Sequence, residues 1–156
     1  MSLGAEGPAP GLPVPMEVAA GLVFRDGRLL ITQRPPGGHL GGLWEFPGGK
    51  REPDESFAQC LARELNEELG IEVAIGELVE SITHRYPEKT VHLRFFRCTW
   101  VRHEPQAIGC QAFRWVRSEE LGEHEFPAAD ARLLDQLRTS ATLWGGRGDE
   151  EPPGGG

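Results

Sequence analysis

The chain has 156 residues, of which 38% are hydrophobic, and this length suits a single domain with a sizeable core. The formal net charge of -8 argues against binding to duplex DNA or to an anionic membrane, since both need a basic surface. The three cysteines form no Cys-x-x-Cys pair, so neither a disulfide framework nor a zinc site is expected, and a cytoplasmic location is predicted.

Both ends of the chain are predicted to be disordered. Residues 1–15 hold four prolines among small residues, and the chain beyond Gly146 consists mainly of Gly, Pro and acidic residues. Such compositions cannot bury enough apolar surface to offset the entropy lost on ordering. The folded domain is therefore predicted over residues 16–140, between a disordered leader over 1–15 and a disordered tail over 141–156.

A β-hairpin is predicted at the start of the domain. The segments Glu17–Arg25 and Arg28–Gln33 are rich in aliphatic residues, and Asp26-Gly27 between them is a two-residue turn signal. Residues 34–43 then contain two prolines and four glycines, a composition that predicts an irregular loop. This loop leads to the Trp44-Glu45-Phe46-Pro47 segment.

A helix with one apolar and one acidic arc is predicted after Gly48 and Gly49. Pro53-Asp54-Glu55 is expected to open it, and Gly70 is expected just past its end. At about 100° per residue the core face is Ala58, Leu61, Ala62, Leu65 and Leu69, and the neighbouring arc is Glu64, Glu67 and Glu68. Like charges at this spacing destabilise a helix by about 0.2 to 0.5 kcal/mol per pair. A divalent cation bound between the carboxylates would make their closeness favourable instead.

Three strands and a closing helix are predicted in the second half. The strands are 72–84, 90–101 and 111–116, with a turn at Tyr86–Lys89 between the first two. The apolar pattern changes phase between Phe95 and Phe96, which predicts a bulge or a strand buried on both faces. Ser118 is expected to cap a short helical turn, and Pro127 to open the closing helix.

The stretch from Gly49 to Ile71 resembles the Nudix box residue for residue. The matching positions are Gly49, Glu55, Arg63, Glu64, Leu65, Glu67, Glu68, Gly70 and Ile71. The resemblance implies an α/β (α+β) Nudix fold, in which a mixed β-sheet is sandwiched between helices. The segment Trp44–Lys50 is also similar to that of MutT-type nucleoside triphosphate pyrophosphohydrolases, and this likeness extends from about Glu17 to Leu137.

The resemblance implies a metal site and a substrate site. The Gly48 carbonyl, Glu64 and Glu68 match metal ligands, with Glu67 the next candidate, and Mg²⁺ is the expected ion, with Mn²⁺ as the alternative. The catalytic set is Arg63, Glu64, Glu67 and Glu68, in which Arg63 matches a position that mainly braces the loop and helix. The substrate-binding set is Arg34, His39, Glu45, Phe46, Pro47, Gly48 and Asp130. Alternatively, Arg34 is a plain surface arginine and His39 a plain loop histidine.

Two positions depart from the MutT pattern. Gly109 stands where these enzymes usually carry a Glu that assists metal binding or deprotonates water, so Glu104, His103 or a box glutamate must serve as the general base. Asp130 stands where the MutT pattern has Asn. An ionised Asp offers only acceptors, which suit the N4 amino group of cytosine or the N7–H of 8-oxoguanine, and it could bond O6 of guanine only if burial kept it protonated. The alternative is that Asp130 caps the closing helix.

The sequence favours a Mg²⁺-dependent hydrolase that splits a nucleoside triphosphate into monophosphate and pyrophosphate. Oxidised nucleotides such as 8-oxo-dGTP are the leading substrates, which would limit mutation during DNA replication, and CTP or dCTP is the close alternative. A second hypothesis, from a different functional class, is a non-catalytic Nudix module that recognises a base. A third hypothesis is an enzyme that cleaves a nucleoside diphosphate linked to a sugar or nucleoside. The expected partner is a small nucleotide, and the expected state is a monomer or weak homodimer.

Overall fold

The computed structural model describes residues 14–144, so most of the predicted leader and tail lies outside the described residues. Its elements are β1 (Met16–Arg25), β2 (Arg28–Gln33), β3 (Trp44–Glu45), β4 (Gly48–Lys50), α1 (Phe57–Leu69), β5 (Glu72–Tyr86), β6 (Lys89–Arg102), β7 (Ala112–Val116) and α2 (Ala131–Thr139). Short 3-10 turns cover Ser118–Glu123, Ala128–Asp130 and Ala141–Trp144. No helix within residues 14–144 combines the length and apolar character that a membrane span requires.

Strand β1 organises the sheet because both of its edges are paired. Along one edge it runs parallel to β6, from Met16 opposite Val91 to Phe24 opposite Thr99. The other edge has two antiparallel partners, with β2 beside its last residues and β4 beside Val18–Ala20. The sheet order is β3-β2-β1-β6-β5, with β4 added on β1 and β7 on β2, which confirms the predicted mixed sheet.

The two faces of this sheet carry separate apolar cores. Successive side chains of a strand point to opposite faces, so Ala19 and Val23 of β1 pack with α1, whereas Ala20, Leu22 and Phe24 pack on the other face with α2. Helix α1 contributes Cys60, Leu61, Leu65 and Leu69 to the first core, and α2 contributes Leu133 and Leu137 to the second. The sheet is therefore sandwiched between the helices, as the resemblance implied.

Helix α1 begins later than the sequence pattern predicted. Its first residue is Phe57, and the Ser56 hydroxyl accepts the Gln59 N–H at 3.0 Å while the Gln59 side chain accepts the Ser56 N–H at 2.8 Å. This capping box satisfies two of the donors left open at a helix start, so Pro53-Asp54-Glu55 lies outside the helix. The shift also changes the core face, because Ala58 and Ala62 are exposed and Cys60 is fully buried.

The predicted irregularity between Phe95 and Phe96 exists, but the extra residue belongs to the neighbouring strand. Phe96 lies opposite Leu78 and Phe95 lies opposite Glu80, so Val79 of β5 has no counterpart in β6. The register of β6 against β1 is continuous through the same residues. The phase change in β6 thus reflects a strand paired on both edges, while β5, at the edge of the sheet, accommodates the bulge.

The ordered chain extends past residue 140, where the sequence pattern placed the end of the domain. In the 3-10 turn Ala141–Trp144, the Trp144 indole packs edge-on against Phe24 with ring centroids 5.3 Å apart. Its Nε1–H donates to the Leu137 carbonyl at 2.8 Å, and Arg97 donates to the Leu143 carbonyl at 3.1 Å. These contacts cover the α2 side of the sheet.

Replacing Trp144 by Ala should therefore lower the free energy of unfolding by about 2 kcal/mol, since it removes buried aromatic surface and one hydrogen bond. Thr142→Ala, at an exposed position of the same turn, is the matched control and should change it by less than about 0.5 kcal/mol. Urea unfolding of both variants measures the difference. Equal midpoints for Trp144→Ala and the wild type would show that this turn adds nothing to the fold.

Candidate active site

A cavity of about 450 Å³ lies on the α2 side of β1 and β6 and brings together most of the predicted site residues. Its lining includes Arg34, His39, Glu45, Phe46, Gly48, Glu64, Glu68 and Asp130. Three predicted residues, Pro47, Arg63 and Glu67, are not part of this lining. The cavity therefore has carboxylates of α1 at one end and Asp130, from the turn before α2, as another wall.

Glycines 48 and 49 allow β4 to approach both β1 and α1 closely. A Cβ atom at residue 48 would lie 2.0 Å from the Ala19 carbonyl oxygen, and one at residue 49 would lie 2.2 Å from Glu64 Cδ. Both distances are far shorter than any real contact, so the backbone leaves no room for a side chain at residue 48, and a side chain at residue 49 would displace the Glu64 carboxylate. The Glu64 carboxylate consequently rests against the backbone of Gly49.

Arg63 is the hub of the acidic face of α1. Its guanidinium donates to both carboxylate oxygens of Glu55, at 2.6 and 3.1 Å, to Glu64 at 3.1 Å, to Glu67 at 3.3 Å and to the Lys50 carbonyl at 3.2 Å. These bonds hold the pKa of Glu55 at about 2, because the paired carboxylate is favoured over the acid. Arg63 thus braces the loop and positions the glutamates instead of facing the cavity.

The three box glutamates have different surroundings. Glu67 is 60% exposed and bonded to Arg63, and it does not line the cavity, so its place in the metal and catalytic sets stays a prediction. The Glu68 side chain points inward, and its Oε1 is buried without a hydrogen-bond partner. Burial, with the charges of Glu45 and Glu64 adding to it, raises the pKa of Glu68 to about 8, although the Gly48 N–H acts in the opposite direction.

The donor set at this end of the cavity suits a hard divalent cation. Within residues 14–144 no three His, Cys, Asp or Glu side chains are grouped closely enough to form a complete metal site. However, an orphaned oxygen on Glu68, a carboxylate on Glu64 and the adjoining Gly48 backbone are the oxygen ligands that Mg²⁺ takes while keeping waters or substrate oxygens as its remaining ligands. The residues present therefore fit such an ion.

Arg34 lies in the cavity wall, and its contact with a nucleotide stays a prediction. Its Nε donates to the His39 carbonyl at 3.1 Å, and its NH1 donates to Glu45 at 3.0 Å. The pKa of Glu45 is nevertheless raised by burial, against which Arg34 acts. The His39 ring packs edge-on against Tyr86 at 4.7 Å, so this loop histidine joins the loop to the end of β5.

Phe46 and Pro47 hold the loop to the body of the domain. Phe46 is 4% exposed and stacks on Phe126 with ring centroids 5.2 Å apart, while part of its surface lines the cavity. Pro47 is buried, and its carbonyl accepts the Gly21 N–H at 2.8 Å. Pro47 therefore positions β4, and its predicted contact with substrate has no support in this geometry.

Asp130 is buried at the far wall of the cavity. It is 6% exposed and occupies the position before α2, yet its side chain makes no capping hydrogen bond. Burial, with the charge of Glu45 adding to it, raises its pKa to about 7. Asp130 lines the cavity and makes no helix-capping hydrogen bond with its side chain, and its contact with a substrate stays a prediction.

Two of the three candidates for the general base lie elsewhere. Glu104 accepts two hydrogen bonds from Arg25, at 3.0 and 2.8 Å, and does not line the cavity. The His103 side chain is also outside the lining, and the His103 carbonyl accepts the Trp100 N–H. Gly109 packs against Glu68, with its N–H bonded to the Glu68 carbonyl at 2.9 Å. Among the named candidates only the box glutamates reach this end of the cavity.

The β5–β6 hairpin contributes cavity residues that the sequence reasoning missed. Tyr86 at the end of β5 and Lys89 at the start of β6 line the cavity, as does Lys50 at the end of β4. Lys50 and Lys89 are the only lysines of the sequence. The position of both lysines next to turns could have marked them as candidate site residues. Only the fold shows that both regions face one cavity.

Comparison with known proteins agrees with this architecture. A sequence model of the NUDIX domain matches residues 19–136. The chain is 42% identical over 120 residues to the CTP pyrophosphohydrolase of Escherichia coli, a match that covers 77% of this chain and 89% of that one. It is 36% identical over 124 residues to the 8-oxo-dGTP diphosphatase of Haemophilus influenzae, covering 78% and 90%.

A solved structure gives the same result for the fold. The MutT protein from Methanosarcina mazei superimposes with a TM-score of 0.73 at 27% identity, covering 81% of this chain and 96% of that one. The family match spans most of the sheet, all of α1 with its acidic segment, and the first two thirds of α2. The chain therefore belongs to the Nudix family of hydrolases.

Proposed function

We propose that this protein is a Mg²⁺-dependent nucleoside triphosphate pyrophosphohydrolase that releases a nucleoside monophosphate and pyrophosphate. The observation that carries the proposal is a single cavity with the Glu64 and Glu68 carboxylates at one end and the unpaired Asp130 at another wall. Nudix hydrolases generally need a divalent metal ion, and these carboxylates and Asp130 line the same cavity. A cavity of about 450 Å³ suits a ligand of that size.

Gly48, Glu64 and Glu68 are the residues that would hold the ion, with Mg²⁺ expected and Mn²⁺ as the alternative. A bound divalent cation neutralises phosphate charge and lowers the pKa of coordinated water. Glu68 can serve only when ionised, and its pKa of about 8 in the metal-free protein means that metal binding would release a proton at neutral pH.

The surrounding side chains have separate tasks in this proposal. Arg63 fixes the orientation of Glu64 through a hydrogen bond and donates a second hydrogen bond to Glu67. Lys50 and Lys89 supply positive charge at the cavity walls for a polyphosphate, and Phe46 gives an apolar surface. Since Glu104 is paired with Arg25, the proton of the attacking water passes to a box glutamate.

Oxidised nucleotides such as 8-oxo-dGTP are the proposed substrates, and CTP or dCTP is the alternative. Relatives named as an 8-oxo-dGTP diphosphatase and as a CTP pyrophosphohydrolase are 36% and 42% identical to this chain, so identity alone does not separate the two. The acidic group at residue 130 is compatible with either base, because each presents an N–H donor. Unmodified guanine presents only N7 and O6 acceptors on the corresponding edge.

A screen of canonical and oxidised nucleoside triphosphates for Mg²⁺-stimulated pyrophosphate release tests the proposal. We expect release from 8-oxo-dGTP, or from CTP and dCTP, to exceed release from dGTP by at least tenfold. Tight nucleotide binding by calorimetry without turnover would instead identify a non-catalytic module. Preference for a nucleoside diphosphate linked to a sugar would place the protein in the third class.

Glu64→Gln and Glu68→Gln should each reduce kcat by at least about a hundredfold, since either change removes a charged oxygen ligand. Glu119→Gln, at an exposed position remote from the cavity, is the matched control and should retain wild-type turnover. Pyrophosphate release at saturating Mg²⁺ measures all three variants. Near wild-type turnover by Glu64→Gln or Glu68→Gln would remove that residue from the metal site.

The Glu68→Gln variant should also change how metal-free stability depends on pH. Because the pKa of Glu68 is raised from 4.5 to about 8, the folded protein keeps a proton that the unfolded chain has released, and stability falls as the pH rises through that window. Glu68→Gln removes this loss, so its thermal melting temperature should decline less than that of the wild type between pH 5 and pH 8. Parallel declines in both proteins would contradict the raised pKa.

Asp130→Asn should change the ratio of kcat/KM between 8-oxo-dGTP and dCTP by tenfold or more. The amide replaces one acceptor by a donor, and one mismatched buried polar group costs about 1 to 3 kcal/mol. Steady-state kinetics on both substrates give the ratio, and thermal melts serve as the control for folding. An unchanged ratio together with a lower melting temperature would return Asp130 to a structural role.

A further inference from the structure

Tyr86, the single tyrosine of the chain, lines the cavity from the last position of β5. It pairs with Lys89 across the turn, and its face of the hairpin is the one on which Val91 and Leu93 of β6 line the cavity. The register of the hairpin therefore turns the Tyr86 side chain toward the cavity.

The Tyr86 ring is held in place on two sides. It packs edge-on against His39 with ring centroids 4.7 Å apart and against His84 with centroids 4.5 Å apart. These contacts join the end of β5 to the loop that carries His39. A ring fixed in this way presents its hydroxyl group in one direction, which reduces the entropy lost on binding.

The Tyr86 hydroxyl shares its surroundings with Asp130. Its pKa is raised, chiefly by burial and then by the charge of Asp130, while Arg34 acts in the opposite direction. Neither side chain has a hydrogen-bond partner among residues 14–144, although Asp130 is 94% buried, the complement of its 6% exposure. Both residues line the same cavity, so both side chains are available to a ligand bound there.

We propose that Tyr86 is a second specificity-determining residue, whose hydroxyl contacts the nucleobase edge beside the group that Asp130 contacts. This inference rests on the nucleotide hydrolysis proposed above and specifies how its substrate is read. Asp130 accepts one hydrogen bond from the base, and the Tyr86 hydroxyl donates one to it.

The pair matches a base edge on which an N–H donor adjoins an acceptor. Cytosine offers its N4 amino group beside N3, and 8-oxoguanine offers its N7–H between O6 and O8. On the same edge unmodified guanine offers N7 and O6, two acceptors, so the Tyr86 donor could be used but an ionised Asp130 would meet a second acceptor. Tyr86 strengthens binding of the matched base, and Asp130 rejects the mismatched one when its carboxyl group is ionised.

Tyr86→Phe is the test, because it removes the hydroxyl and leaves both edge-on aromatic contacts in place. For the preferred triphosphate we expect KM to rise about three- to tenfold, the effect of losing one neutral hydrogen bond, with kcat within about twofold of the wild type. For 2-deoxyribose 5-triphosphate, which has no base, kcat/KM should remain within about twofold. Tyr86→Leu, which also removes the aromatic contacts, is the comparison and should impair both substrates.

The outcomes separate this inference from the function on which it depends. If the wild-type protein releases no pyrophosphate from any triphosphate, the proposed function itself has failed. If the wild type is active and Tyr86→Phe matches it on every nucleotide, the hydroxyl does not contact the base and only the present inference is overturned. Equal losses on the preferred triphosphate and on the base-free triphosphate would also overturn it, since they would assign Tyr86 to the loop and not to the base.

Discussion

The close approach of α1 to β4 is the constraint on which the site depends. The Glu64 carboxyl group lies where a side chain of residue 49 would have to be, so only glycine permits the contact. The neighbouring Gly48 is equally restricted by the Ala19 carbonyl of β1, which ties the same loop to the centre of the sheet. The backbone of β4 and the acidic arc of α1 are thereby held as one rigid unit with the sheet.

That rigid unit concentrates negative charge that the protein compensates only in part. Arg63 serves Glu55, Glu64 and Glu67, and Arg34 serves Glu45, but Glu68 and Asp130 have no cationic partner within hydrogen-bonding distance among the described residues. Buried carboxyls without partners respond by raised pKa values, as these two do. A nucleotide that brings its own cation would complete the charge balance at one end and the hydrogen bonding at the other.

Much of this arrangement follows from sequence patterns. The apolar periodicity predicted helix α1, and the resemblance to the Nudix and MutT patterns implied the mixed sheet and the site residues Gly48, Glu64 and Asp130. Other features depend on choices that spacing cannot resolve. Periodicity places Glu67 beside Glu64 and Glu68, but in the folded protein Glu67 is bonded to Arg63 and does not line the cavity. The inward position of Tyr86 depends on the register of the β5–β6 hairpin, which lies outside the box. The Trp144 contact depends on the position of α2 on the folded sheet.

The central claim is that the carboxylates of α1 form the binding site of a divalent cation shared with a nucleotide. Thermal melts of the wild-type protein with increasing Mg²⁺, in the absence and in the presence of a nonhydrolysable nucleoside triphosphate, test it most directly. A ligand that binds only the folded state stabilises it by mass action, so the melting temperature should rise with Mg²⁺ and rise further when the nucleotide is present. A melting temperature that does not respond to Mg²⁺ under either condition would contradict a metal site in this cavity.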